Sequence, residues 1–252
     1  MDGLLKDRVA VITGAAREQG IGLATAKIFI EHGAKVALFD LPAENPAGAA
    51  KVLGENAVGI ECNVMSKESC IAGAAKVAEK WGRIDVLVNN AGITQRRKVA
   101  DITEEDFDLV NGVVFKGTLL MVQAVLPHMP RNENAAIVNI SSLSALQGGG
   151  IFGGPHYCGA KAGVLGLSRA MAKEFGPEGI RVNAVAPGLI MTDFSRRGPS
   201  ADAGKIEAGK AFPLGRVGRP SDIGNVALFL ASDLSGFMTG TTLNVNGGDF
   251  IA

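Results

Sequence analysis

The stretch Val9-Ala10-Val11-Ile12-Thr13-Gly14-Ala15-Ala16-Arg17-Glu18-Gln19-Gly20-Ile21-Gly22 joins an apolar run to a glycine-rich turn and then to a helical pattern that continues to about His32. A short, continuously apolar, β-branched run predicts a strand covered on both faces. Gly14, Gly20 and Gly22 allow a tight turn and close approach of an anionic group to backbone N–H groups, and the following helix N-terminus adds a partial positive charge. The next apolar run, Lys35-Val36-Ala37-Leu38-Phe39-Asp40, ends on an acid 18 residues after Gly22. A glycine-rich turn between strand and helix, followed by an acid at the end of the next strand, is the pattern of a dinucleotide site. Asp40 would accept the adenosine ribose hydroxyls and repel a 2′-phosphate, which favours NAD over NADP. Arg17, inside the turn, is the contrary feature, because a guanidinium there can meet a phosphate. The plain alternative is chance: 34 glycines produce some glycine-rich turns, and a strand-end acid can be an ordinary loop residue.

The same alternation continues outward. Further strands are expected at 57–62, 84–89, 136–141, 181–186 and 241–246, and helices near 46–54, 67–81, 103–128, 155–175 and 221–232. Apolar strands separated by helices predict an α/β fold of Rossmann type: a doubly wound parallel sheet in three α/β/α layers, as a single domain over 1–252. The least regular segment, 193–213, is rich in Gly, Ser and charge and is expected to be a substrate lid or loop.

Composition removes several classes of function. The 25 basic and 25 acidic residues cancel, so no global basic field would draw the chain to nucleic acid. No apolar run of membrane-span length and no signal-peptide pattern is evident, so a cytoplasmic protein without a membrane partner is expected. Three cysteines with no CxxC pair read as free thiols, and three scattered histidines predict no metal site.

Tyr157 is the only tyrosine, and Lys161 follows it by four residues in a stretch that reads as a helix. That spacing puts both side chains on one helix face. An ammonium group one turn from a phenol favours the phenolate, so the pair suits a general acid/base. The alternative is a half-buried aromatic on a helix, and His156 and Cys158 beside it default to packing.

Taken with the 13–22 turn, Asn89-Asn90-Ala91-Gly92, Ser141-Ser142, Pro187-Gly188 and Asn246-Gly247-Gly248 stand in an order and spacing that resemble the short-chain dehydrogenase/reductase family over essentially the whole chain. The resemblance implies a nicotinamide cofactor and a homotetramer or homodimer. It implies that Ser142 binds the substrate oxygen, that Tyr157 exchanges a proton with it, and that Lys161 binds the nicotinamide ribose and lowers the Tyr157 pKa. It also implies that Gly14, Arg17, Gly20, Ile21, Gly22, Asp40, Asn63, Asn90, Ala91 and Gly92 hold the adenosine and pyrophosphate side. Pro187, Gly188, Ile190 and Thr192 would hold the carboxamide end.

The chain departs from the family pattern at four places. Five residues separate Gly14 from Gly20, two more than usual, so a bulge is expected at Arg17-Glu18-Gln19. Val114 stands where the family has a catalytic asparagine, and Asn111, one turn away, is expected to compensate in part. Ser142 precedes Tyr157 by 15 residues instead of 13, which places an insertion in 147–155; Ser144 has the bare spacing but lacks the strand-end setting. Asn63 replaces a frequent aspartate beside adenine. For the substrate, Arg96, Arg97, Phe194 and Arg196 are candidates, the arginines suiting an anionic alcohol or ketone unless they are solvated surface charges. The leading reading is an NAD-dependent oxidoreductase of a secondary alcohol and its ketone. The alternatives are an NADPH-dependent 3-oxoacyl-(acyl carrier protein) reductase and a non-catalytic dinucleotide-binding sensor.

Overall fold

The computed structural model describes residues 3–149, 153–194 and 199–251. In chain order the elements are β1 (Val9–Thr13), α1 (Ile21–Glu31), β2 (Lys35–Asp40), α2 (Pro46–Leu53), β3 (Ala57–Glu61), α3 (Lys67–Trp81), β4 (Val86–Asn89) and α4 (Glu104–Asn111). There follow α5 (Gly117–Val125), β5 (Ala135–Ile140), α6 (Ser144–Gln147), α7 (Pro155–Phe175), β6 (Ile180–Pro187), α8 (Pro199–Gly209), α9 (Pro220–Ala231) and β7 (Thr242–Val245). The strands form one sheet in the order β3-β2-β1-β4-β5-β6-β7, and every pairing is parallel. This is the doubly wound fold expected, with the strand order reversing between β1 and β4.

Alternation along each strand builds the two outer layers. Val9, Val11, Ala37 and Phe39 pack on the side covered by α3, α5 and the end of α7, where Val77, Met121 and Phe175 are buried. Ala10, Ile12, Val36 and Leu38 pack on the other side against Phe29 of α1 and Ile223, Ala227 and Leu230 of α9. Each large side chain so buried contributes about 1.5–3 kcal/mol.

Three expectations are corrected here. The segment 193–213 is not an open loop throughout, because α8 occupies Pro199–Gly209. The continuous helical run Glu104–His128 is long and apolar enough to pass as a membrane span by composition, but Val110, Met121, Val122 and Val125 are buried in the core. That run is also not one regular helix: Gly112–Lys116 is a π-helical turn between α4 and α5, an insertion that shifts the faces on either side of it.

Candidate active site and cofactor cradle

The C-terminal ends of β1 and β4 meet at the topological switch point. There Thr13 Oγ1 accepts from the N–H groups of Asn90 (3.0 Å) and Ala91 (2.9 Å), and Asn90 Nδ2 donates to the carbonyls of Thr13 and Gly14, each at 2.9 Å. The turn is pressed onto this clasp. A Cβ at Gly14, whose φ is +62°, would lie 2.8 Å from Ala91 Cα, and one at Gly22 would lie 2.6 Å from the Gly14 carbonyl. The two additional residues form the expected bulge, closed by Gly20 N–H to the Arg17 carbonyl at 3.0 Å. Gly20 caps α1 without a side-chain hydrogen bond, with Ile21 opening the helix. A helix start with no side-chain cap, behind a cradle that any Cβ would fill, fits the pyrophosphate of a dinucleotide.

At the end of β2 the Asp40 carboxylate accepts from Ala16 N–H and Leu41 N–H, each at 2.9 Å. Burial raises its pKa, with Glu44 adding to the rise, while the two backbone donors and Arg17 oppose it. Arg17 does not stand free to take a phosphate: its Nη2 lies 3.0 Å from Glu44 Oε1. At the end of β3, Asn63 Oδ1 accepts from Met65 N–H at 3.0 Å, so its oxygen is used within its own turn.

The chemical end is built on α7, which starts with Gly154 as N-cap and Pro155 in its first turn. Tyr157 and Lys161 are 8% and 4% exposed. Lys161 Nζ donates to the Ile140 carbonyl at 2.6 Å and lies 5.9 Å from the Tyr157 ring centroid, and the Ser141 hydroxyl donates to the Lys161 carbonyl at 2.8 Å. The Ser142 hydroxyl lies close enough to Tyr157 to favour its ionised form, and Ser144 N–H donates to Ser142 Oγ at 3.1 Å. Ser142, not Ser144, is therefore the serine against the tyrosine. Gly92 faces this group: a Cβ there would lie 3.7 Å from Lys161 Nζ.

The expected depression of the Tyr157 pKa is not found in the protein alone. Burial pushes it up to about 12, partly opposed by the Ser142 hydroxyl. Burial also brings Lys161 down to about 8. Taking either charge out of water costs more than the other group at this separation returns.

Val114 is buried with Val110, Tyr157, Ala160 and Val164. Asn111 turns away from this face, and its amide donates to the Phe107 carbonyl at 2.9 Å. The expectation that Asn111 compensates for Val114 is thus corrected: the residues packed with Tyr157 are Val110 of α4 and Val114 of the π-helical turn that follows it. Phe194 does reach the site, its ring 6.4 Å from that of Tyr157. Arg97 is held by Asp106, Nε to Oδ2 at 2.9 Å, and Arg96 is exposed. Arg196 lies outside the described residues, as do residues 150–152 of the inserted loop. The neighbours of Tyr157 are structural: His156 Nε2 is 3.0 Å from Gln95 Oε1, and Cys158 Sγ accepts from Gly149 N–H at 2.9 Å.

At the far end of the crevice the Pro187 carbonyl, last in β6, accepts from Leu143 N–H at 2.8 Å, tying the Ser142 segment to that strand. Gly188 abuts Asn246, whose Cβ a side chain there would meet at 2.7 Å. Ile190 bridges to Gly218, and the Thr192 carbonyl accepts from Lys205 Nζ of α8 at 2.7 Å. Sequence reasoning missed the buried chain Asn89 Nδ2–Asn139 Oδ1 (2.9 Å), Asn139 Nδ2–Ser168 Oγ (2.8 Å) and Ser168 Oγ–Val164 carbonyl (2.7 Å), which fixes α7 on β4 and β5. The available signal was an asparagine in the middle of an otherwise apolar run, Ala135–Ile140.

Comparisons with known proteins agree with this geometry. The profile of the family described as Enoyl-(Acyl carrier protein) reductase matches residues 14–249. An uncharacterised short-chain type dehydrogenase/reductase of Sinorhizobium fredii is 47% identical, covering 98% of this chain and 99% of that one. A 3-oxoacyl-(acyl-carrier-protein) reductase of Thermotoga maritima is 40% identical, covering 97% and 98%. The crystal structure of a short-chain dehydrogenase/reductase (glucose/ribitol dehydrogenase) from Brucella melitensis superposes with a TM-score of 0.91 at 32% identity, covering 100% of both chains. The chain belongs to the short-chain dehydrogenase/reductase family, oxidoreductases that bind a nicotinamide dinucleotide and act on small molecules.

Proposed function

We propose that this chain is an NAD-dependent oxidoreductase of a secondary alcohol and its ketone. What supports the reading is the Ser142 hydroxyl beside Tyr157, with Lys161 one helical turn on, next to the glycine cradle at the strand ends. Gly14, Gly20, Ile21 and Gly22 hold the pyrophosphate, Asp40 the adenosine ribose, Asn90, Ala91 and Gly92 the floor between, and Pro187, Gly188, Ile190 and Thr192 the carboxamide end. NAD bound there supplies the hydride acceptor. Ser142 positions the substrate oxygen and stabilises charge on it. Tyr157 gives that oxygen a proton in reduction and takes it in oxidation, and Lys161 favours the ionised tyrosine that oxidation needs. A tyrosine that is protonated at neutral pH is already in the donating form, so oxidation gains as pH rises. Phe194 supplies an apolar wall, Arg96 and Arg196 are retained for an anionic substrate, and 193–213, with α8, is the lid.

The alternative, an NADPH-dependent 3-oxoacyl-(acyl carrier protein) reductase, is favoured by the Thermotoga maritima relative. Asp40 and the engagement of Arg17 by Glu44 weigh against it. The sensor reading draws on Val114 alone. The exposed Phe107, Phe115 and Leu119, together with Leu234, Phe237 and Ile251 elsewhere, support self-association as a homotetramer or homodimer, and we place the protein in the cytoplasm. NAD reduction with a panel of secondary alcohols tests the reading: turnover that is lost in Tyr157→Phe supports it, and cofactor binding without turnover on any alcohol supports the sensor.

A further inference from the structure

Asp40, Arg17 and Glu44 form a three-charge group at the C-terminal ends of β1 and β2. The strands are parallel neighbours, with Thr13 paired to Phe39, so the turn after β1 and the segment after β2 emerge side by side. Glu44 closes the single 3-10 turn Pro42–Glu44, held by Glu44 N–H to the Leu41 carbonyl at 2.9 Å. From there its Oε1 reaches Arg17 Nη2 at 3.0 Å, with the side chains 21% and 24% exposed respectively. Asp40 accepts from Ala16 N–H, the residue next to Arg17. Both Glu44 and Arg17 act electrostatically on Asp40, in opposite directions. The group carries two acids against one base.

We propose that Glu44 is a second cofactor-specificity residue: by holding Arg17 it withholds from a 2′-phosphate the one cation of this group. The proposal rests on the assignment of Asp40 to the adenosine ribose. Asp40 alone would leave a bare guanidinium on the residue next to its backbone donor Ala16, and a guanidinium is the side chain best shaped to bind a phosphate. With Glu44 in place the local formal charge stays negative, and a dianionic 2′-phosphate must both break the Arg17–Glu44 pair and approach two carboxylates. Part-burial of the pair limits the screening that makes exposed ion pairs weak.

The test is binding rather than turnover: dissociation constants for NADH and NADPH, read by nicotinamide fluorescence, in the wild type, Glu44→Gln, Glu44→Ala and Glu44→Gln/Arg17→Leu. Both Glu44 variants should move the NADPH-to-NADH ratio roughly tenfold toward NADPH, and the gain should disappear when Arg17 is also replaced. It should also shrink in high salt, as a phosphate–guanidinium contact does. A ratio that stays within about twofold in folded Glu44 variants, with wild-type preference for NADH, overturns the proposal and leaves the Asp40 assignment standing. A gain that survives Arg17→Leu overturns it as well. A wild type that prefers NADPH overturns the Asp40 assignment alone if Glu44→Gln still tightens NADPH, and both if it does not. Circular dichroism of each variant separates a lost fold from a lost contact.

Discussion

At the β2 end of the crevice, Asp40, Arg17 and Glu44 set charge against charge, in side chains that remain partly exposed. At the β5 end, Tyr157 and Lys161 are almost wholly buried, and it is burial that moves their ionisation, one up to about 12 and the other down to about 8. Burial is the first cause of the shift at both ends, but at the first end charged neighbours that salt can screen act on Asp40 as well, whereas at the second desolvation, which salt reaches poorly, dominates. The residues around each end follow suit: donors and acids at the first, Val110, Val114, Ala160 and Val164 at the second. Among the described residues, the Lys161 ammonium donates to the Ile140 carbonyl.

The largest break would come from Tyr157→Phe. It should lower turnover roughly 10²–10⁴-fold, with a far smaller effect on NADH affinity by fluorescence; retained turnover would put the proton transfer elsewhere. Next, Asp40→Ala should move the NADPH-to-NADH affinity ratio by roughly 10–100-fold, and less at high ionic strength. An unchanged ratio would mean that the charges of the β2 end do not govern selection.

Titration of stability sharpens the other side of the comparison. Lys161 has its pKa brought down to about 8 from an ordinary 10.5. Between those values the unfolded chain binds more protons than the folded one, so wild-type stability rises with pH through that window. Below about pH 8 the buried ammonium is a cost of roughly 3 kcal/mol, so that Lys161→Met should be the more stable protein there, read by denaturant unfolding. Tyr157, raised above its ordinary value of 10.0, acts in the opposite direction, destabilising only as pH climbs past 10.0. A Lys161→Met protein no more stable at pH 7 would show that burial is not what sets the lysine. The smallest effect expected is that of Asn111→Ala, whose side chain bonds its own helix: turnover should change by less than about twofold. A larger loss would bring Asn111 back into the reacting end.

The parts legible beforehand were those that local pattern dictates. The β1 and β2 spans follow from uninterrupted apolar runs ending at Thr13 and Asp40, and the shared helix of Tyr157 and Lys161 from their four-residue spacing. Where local pattern failed, a departure from the regular helix or an acid outside the motif decided the outcome. Asn111 and Val114 read as sharing a face, but Gly112–Lys116 is π-helical and Asn111 bonds to Phe107 instead. Arg17 and Arg97 read as available cations, but each has an acid across a turn, Glu44 and Asp106.

The sequence by itself determined the sheet, the glycine-rich turn after β1 and the placement of Tyr157 and Lys161 on one helix face, because periodicity, glycine placement and helical spacing are local properties of the chain. Only the tertiary structure decided the charge state of that pair and the engagement of the arginines. Desolvation and ion pairing depend on which residues from distant segments close around a side chain, and no spacing along the chain encodes that.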